Sequence, residues 1–352
     1  MKTNRKIVAL LLVFVLSMCC LTGCTKRTAN ETPDAKQTRT VTDMAGRTVT
    51  IPAEIKSIGT FGAIGVLNAF VETMGAGNKI CNEGSTSFVK SPSWAKYQYL
   101  FTPQIKDCPP FQGADSEILI ENVLAKKPDL CLTMMPELVD QLEAQGLNVL
   151  YLSWTETEDV KKCITLLGEV LNAPDVAADY LAYFDKMVAK AEDMTKGIKE
   201  EDKKTVAYGS VSSFTQPHII AEWWIPKAGG ISVTSKGETS NKERYVYTME
   251  DLLKWNPDVM IVSSSAEQKN VLADARFAGI TAVKNKEIYI MPRIAHVWGN
   301  RTTEQPLTIM WTMNKLYPQI MTDEALAKEV SYFYSHFFKH DFTNEQIKEI
   351  IG

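Results

Sequence analysis

Glu121-Asn-Val-Leu-Ala-Lys-Lys-Pro-Asp-Leu-Cys-Leu-Thr133 and Glu250-Asp-Leu-Leu-Lys-Trp-Asn-Pro-Asp-Val-Met-Ile-Val262 are two versions of one sentence. Each reads glutamate, a short helical stretch, Pro-Asp, and an apolar run that suits a buried strand. Proline stops the helix and disfavours helical backbone in the residue before it, so the strand begins at once. A helical stretch and a further apolar strand follow each copy, Asn148–Leu152 in the first half and Glu287–Ile290 in the second. Apolar strands alternating with helices imply parallel α/β sheets covered on both faces. Two copies imply two lobes, although helix–strand joints of this kind also resemble one another by chance.

Outward from the first copy, Arg39–Ile51 alternates β-branched with polar residues on both sides of Ala45-Gly46, the mark of a hairpin. Ile55–Gly59 reads as a short strand. A helix with Leu67, Phe70, Val71 and Met74 on one face follows, closed by Gly75-Ala-Gly77, and then a strand Lys79–Cys81. Residues 84–113 carry no clear period but hold Trp94, Tyr97, Tyr99, Phe101 and Phe111, and read as a long functional loop. Between the two copies, Asn172 suits a helix cap and Pro174 a first turn. Val176, Tyr180, Phe184, Met187 and Val188 make one apolar stripe. The expected connecting helix covers 172–199, long enough at about 1.5 Å per residue to brace two lobes and permit only modest hinge motion. The lobes are then 39–171 and 200–352.

A chain of 352 residues exceeds the size of one ordinary domain. With 45% hydrophobic and 23% charged residues it forms a core, which excludes a disordered or multi-span membrane chain. The formal charge of −4 is not clustered, which argues against a nucleic-acid surface. Met1–Lys6 is basic, Ile7–Leu16 is apolar, and Leu21-Thr-Gly-Cys24 follows. That pattern is a cleaved export signal over 1–23, and its ending resembles the lipobox of bacterial lipoproteins, which implies lipid on Cys24. The polar stretch 24–38 reads as a tether. Of the remaining cysteines, Cys81, Cys108, Cys131 and Cys163, none is spaced as Cys-x-x-Cys for zinc. Cys81 with Cys108 is the one pair considered for a disulfide.

The order of lipobox, tether, Asp43-x-x-Gly46-Arg47 hairpin, twin Glu/Pro-Asp units, long helix and Ala228-Gly229-Gly230 resembles the solute-binding proteins of ABC importers. Within them it is similar to the subclass handling iron-siderophores, corrinoids, haem and some oxyanions. The resemblance covers about residues 39–320. It implies two Rossmann-like lobes with parallel sheets joined by a single long helix, a monomer on the outer face of the cytoplasmic membrane, no catalysis and no cofactor. It also implies an ABC permease and ATPase complex as partner. Glu121 and Glu250 match the family's docking glutamates, one per lobe.

In open α/β sheets ligands bind beyond the carboxyl ends of strands. This places Thr60-Phe61, Thr133-Met134 and Ser153-Trp154 at the cleft from the first lobe, with Trp94. The second lobe offers Tyr208-Gly209, Glu222-Trp223-Trp224, Ser263-Ser264 and Arg293-Ile-Ala-His-Val-Trp-Gly-Asn-Arg301. Arg293 and Arg301 suit a carboxylate or oxyanion, His296 a metal ion or an anion, and Trp154, Trp223, Trp224 and Trp298 a flat chelate. Two motifs are set aside. His336-x-x-x-His340 lies in an aromatic packing helix, and Ser87–Lys90 and Ser93–Lys96 fit Ser-x-x-Lys without a Lys-Thr-Gly partner. The expected activity is capture of an iron-siderophore, haem or corrinoid for import. The alternatives are a molybdate or tungstate receptor and an extracytoplasmic enzyme such as a metal chelatase.

Overall fold

Each repeated segment folds as a seven-residue helix, a left-handed residue, proline, aspartate and a four-residue strand. The left-handed residues are Lys127 at φ 48° and Asn256 at φ 44°. The structure is a computed structural model that describes residues 37–84, 89, 91–235 and 243–352, with backbone only at 92–94. Cys24, the tether up to residue 36, and Ser87 and Lys90 of the first Ser-x-x-Lys motif lie outside the described residues, as does the Trp94 side chain; Thr38, expected to end the tether, opens the first strand.

The chain opens with the hairpin β1 (Thr38–Thr42) and β2 (Thr48–Pro52). β3 (Ile58–Phe61), β4 (Leu130–Thr133) and β5 (Val149–Tyr151) form a parallel sheet, and Ile80 adds a parallel bridge beside Ile58. The second parallel sheet holds β6 (Thr205–Gly209), β8 (Ile231–Ser232), β10 (Val259–Val262) and β11 (Ile288–Ile290), in the order β11-β10-β6-β8. Both sheets therefore run second, first, third, fourth in chain order. A small antiparallel ribbon, β7 (Thr215–Pro217) with β9 (Arg244–Val246), flanks the second.

The aspartates after the prolines set the register in both sheets. Asp129 Oδ2 accepts the backbone N–H of Ser57 at 3.1 Å, while the Asp129 N–H donates to Ser57 Oγ at 3.0 Å. Asp258 Oδ2 accepts the N–H of Thr205 at 2.8 Å, and the Asp258 N–H donates to Thr205 Oγ1 at 3.0 Å. Ile58 then faces Leu130, and Val206 faces Val259. A one-residue slip would break these charge-assisted bonds and exchange the faces on which the buried side chains pack.

The Asp43–Arg47 pair is structural. Arg47 donates from Nε and Nη2 to Asp43 Oδ2 at 2.9 and 2.6 Å, and from Nη1 to Glu143 at 2.6 Å. Arg47 also reaches Val149 O, and Asp43 accepts the Tyr151 N–H, so the hairpin tip is fastened to β5.

The connecting helix runs Pro174–Thr195, 22 residues and about 33 Å, shorter than 172–199. Pro174 occupies the first turn as expected, but Ala173 is the cap. Asn172 is left-handed at φ 55°, and its side chain donates to Ala53 O instead. Tyr180, Phe184 and Met187 are buried, Val188 is half-buried, and Val176 is exposed because it lies in the turn beyond the packed face.

The stretch 84–113 is not one loop, for it contains the helix Pro92–Phe101. Its buried face carries Gln98 beside Ala95, followed by Thr102, and these polar residues hide the apolar period. This helix meets the far end of the chain. Phe101 packs against Tyr334 and Phe338 at ring-centroid distances of 5.6 and 4.7 Å, and Lys96 pairs with Glu349. The helix Asp323–Phe337 also packs Phe333 and Phe337 on Tyr183 of the connecting helix. His336 pairs with Asp179, and His340 lies edge-on to Phe101 and Phe342, so both histidines serve packing. All four described cysteines are thiols, so Cys81 and Cys108 form no disulfide. Burial pushes the Cys81 thiol up to about 12.

Candidate functional site

The segment 291–304 leaves β11 and runs into the seam between the two sheets. Its backbone is anchored from below by Glu304, which accepts the N–H groups of Ala295 and His296 at 3.0 and 2.8 Å and the Trp298 indole N–H at 3.0 Å. The Tyr334 hydroxyl also donates to it. From the first lobe, Gln98 Nε2 donates to Ala295 O at 2.9 Å, and Thr73 meets Thr303, hydroxyl to hydroxyl, at 2.7 Å. Tyr180 of the connecting helix donates to Thr303 O at 2.7 Å. The segment thus leaves the second sheet at β11 and touches two helices of the first lobe and the helix that joins the lobes.

Arg301 is the residue most sharply placed by this loop. Its side chain is 4% exposed, and Nη2 pairs with Glu243 at 2.6 Å. Its Nε and Nη1 are buried and have no hydrogen-bond partner among the described residues. The guanidinium lies 5.5 Å from the ring centre of Trp154, which projects from the end of β5 in the first lobe and is half-buried. Aromatic faces suit a planar cation, and burying its donors unpaired is costly.

Arg293 and His296 of the same loop form a second group with Tyr208 of β6. Arg293 is half-buried; burial lowers its pKa, and the Tyr208 phenol opposes that shift. His296 is pushed down to about 4, first by burial and then by Arg293, so its imidazole is neutral. Tyr208 is buried, and a Cβ at Gly299 would collide with its hydroxyl. Glycine is required there for that close approach.

Other residues expected at the cleft are committed elsewhere. Phe61 is fully buried and stacks on Phe111 within its own lobe. Trp224 and Trp298 are fully buried, with indole donors taken up by Gly299 O and by Glu304 with Tyr334. Trp223 packs on Phe184 of the connecting helix, with Lys227 over its ring. Thr60 bonds Asn68 and Asn82, Ser153 bonds Asp159, Ser263 bonds Glu267, and Glu222 accepts from Thr234.

Glu72 and Glu304 escaped the sequence reading. Both are fully buried, and both carboxyls are raised, Glu72 to about 8 and Glu304 to about 7, first by burial. Gln98 links them, donating to Glu72 Oε2 at 3.1 Å as well as to Ala295 O. Thr102 Oγ1 lies 2.8 Å from Gln98 O and 3.0 Å from Glu72 Oε1, yet it has one proton to give. A protonated Glu72 satisfies both contacts, donating to Thr102 while Thr102 donates to Gln98. Glu304 has five donors around it, the Thr302 hydroxyl being the fifth, and they favour its charged form against the larger effect of burial.

Residues 87–295 match the family model described as periplasmic binding protein, more than half of the chain, and the chain belongs to that family. Family and relatives are binding proteins, not enzymes. The molybdate-binding protein MolA of Haemophilus influenzae is 33% identical over 98 residues, 27% of this chain and 28% of MolA. Its solved structure with molybdate bound matches with a TM-score of 0.72 at 22% identity, covering 87% of this chain and 99% of that one. The iron(3+)-hydroxamate-binding protein YxeB of Bacillus subtilis is 25% identical over 204 residues, 57% of this chain and 58% of YxeB. A periplasmic solute binding protein from Veillonella parvula matches with a TM-score of 0.77 at 22% identity, over 89% of this chain and 97% of that one. The chain thus spans less than two thirds of the curated relatives it matches in sequence, and the likenesses at 22% identity speak for the fold. That fold is the expected one of two Rossmann-like lobes and a single long connecting helix.

Proposed function

We propose that this protein is the solute-binding component of an ABC importer and that its ligand is a compact oxyanion of the molybdate or tungstate kind. Arg301 carries the ligand assignment: a guanidinium at 4% exposure, one donor on Glu243, and Nε and Nη1 left without partners among the described residues. Nε and Nη1 lie on different edges of the guanidinium, each beside Nη2, and the several oxygens of a tetrahedral anion are suitable acceptors for such charged donors. Arg293 adds positive charge on the same loop, and the neutral imidazole of His296 adds a group able to donate. The likeness to MolA, named for molybdate, supports the same assignment.

The expected preference for a large iron chelate, haem or corrinoid is weakened, because Trp224 and Trp298 are buried within their lobe and Trp223 faces the connecting helix. A ferric hydroxamate stands as the second candidate, favoured by the half-buried face of Trp154 and by the likeness to YxeB. Lipid on Cys24 would hold the monomer at the outer face of the cytoplasmic membrane, and Glu121 and Glu250 would dock it on the permease. One relative is named as an ABC transporter substrate-binding lipoprotein, in keeping with that anchor. No helix among the described residues is long and apolar enough to cross a membrane.

Calorimetric titration with molybdate, tungstate, sulfate, a ferric hydroxamate, haem and a corrinoid tests the ligand. Saturable binding of molybdate or tungstate is the expected result; binding of the chelates alone would overturn the oxyanion assignment.

A further inference from the structure

Glu243 immediately precedes β9, and its backbone is already committed. Its carbonyl accepts the His218 N–H at 3.0 Å, and the next residue, Arg244, pairs with Pro217 of β7. The side chain is freer: it is 57% exposed, and its ion pair is the 2.6 Å contact from Oε1 to Nη2 of Arg301, a cation that is itself 4% exposed. The pair therefore joins a buried guanidinium to an acid in contact with water. Rotation about the Glu243 side-chain bonds alone, with β9 undisturbed, would break the contact, and exposed side chains change rotamer readily. A guanidinium offers two edges of paired donors, Nε with Nη2 and Nη1 with Nη2. An acceptor on Nη2 takes up one of these edges and sets a negative charge beside the other. Glu243 does so through one oxygen on one nitrogen, short of the paired bonds that make arginine–carboxylate contacts strong. Its exposure weakens the contact further.

We propose that Glu243 is a built-in competitor of the ligand: its carboxylate and the captured oxyanion take turns on the Arg301 fork, and the anion binds by displacing it. This rests on the oxyanion reading of Arg301 above and adds to it a residue that sets affinity without holding the ligand. The carboxylate is an oxyanion of the same chemical kind as the ligand, with fewer oxygens and a lower charge, so a molybdate-like dianion can replace it. Displacement lowers the apparent affinity by the fraction of molecules in which the fork is open. It also serves release: a carboxylate that swings back as the anion departs keeps the buried guanidinium from being left without a counter-charge.

Calorimetric titration of the parent, Glu243→Ala and Glu243→Asp with molybdate tests this. Alanine removes the competitor. Aspartate keeps the charge but is shorter by one methylene, which withdraws it from Nη2 while the backbone stays on His218. Both variants are expected to bind molybdate about tenfold more tightly, as when a fork open in about one molecule in ten becomes open in all. The gain should lie in the association rate, followed by tryptophan fluorescence. Unchanged affinity in Glu243→Ala would overturn the competition. Weaker binding would overturn it too, and would show that Glu243 holds Arg301 in place for the ligand. Tightening with alanine but not with aspartate would reduce the effect to the field of one negative charge and overturn displacement. Each of these results leaves the oxyanion reading standing, whereas failure of the parent and both variants to bind molybdate or tungstate would overturn that reading as well.

Discussion

The guanidinium of Arg301 lies 5.5 Å from the centre of the Trp154 ring, one residue from each lobe. Because Nε and Nη1 have no hydrogen-bond partner among the described residues, Arg301 is proposed above as the residue that meets the ligand. Arg301→Lys keeps the charge and loses the fork. Molybdate affinity is expected to fall by about 1–3 kcal/mol, the range for a hydrogen bond to a charged group, with little change in the melting temperature. Calorimetry and thermal melting together check this; unchanged affinity would remove Arg301 from the site.

Trp223 supplies the converse. Its ring packs on Phe184 and not toward Arg301. Trp223→Ala should lower stability by about 2–4 kcal/mol, as truncation of a packed aromatic does, and leave affinity for molybdate or a ferric hydroxamate within twofold. A large loss of affinity at unchanged stability would place this indole on the ligand.

Glu72 makes the seam sensitive to pH. Its carboxyl rises from an ordinary 4.5 to about 8 on folding, chiefly through burial. A carboxyl raised in this way supports the fold fully below about 4.5, and that support is lost as pH climbs through the window to about 8. Glu304 shifts in the same direction, to about 7. Glu72→Gln keeps a neutral side chain that can donate to Thr102. Its stability should therefore be flatter between pH 5 and 8 than that of the parent, as read from urea midpoints across that range (a window set by the linkage relation). An identical pH profile would show that Glu72 is ionised in the folded protein.

The paired aspartates predict matching losses. Asp129→Ala and Asp258→Ala each leave backbone donors of the neighbouring strand unpaired, at a cost of about 1–3 kcal/mol apiece. They share no hydrogen-bond partner, so the double variant should lose close to the sum. Chemical denaturation of the three variants measures this, and strong non-additivity would mean that the two sheets respond as one.

What the residue order disclosed was whatever is local. The Glu-to-Pro-Asp spacing carries helix, stop and strand within a dozen residues, and the Asp43–Arg47 turn closes on itself; both are legible. The helix Pro92–Phe101 was hidden because Gln98 and Thr102 interrupt its buried face with polar groups whose partners, Glu72 and Ala295, lie far along the chain. Arg301 could be named from its place after a strand. Its exposed counter-ion Glu243 and its neighbour Trp154 could not, since only the fold brings them together. The tryptophans misled for the same reason: an indole beside a strand end looks alike whether it points to a cleft or into its own lobe, and Trp224 and Trp298 point inward.

Phe101 rests on Tyr334 and Phe338, so the first lobe is finished by helices made long after it. During synthesis its aromatic flank must wait, bare, until Tyr334 and Phe338 have emerged. Truncation near residue 320 would therefore cripple the opposite end of the molecule, and premature collapse of the early half is a hazard that the cell must hold off until the closing segment arrives.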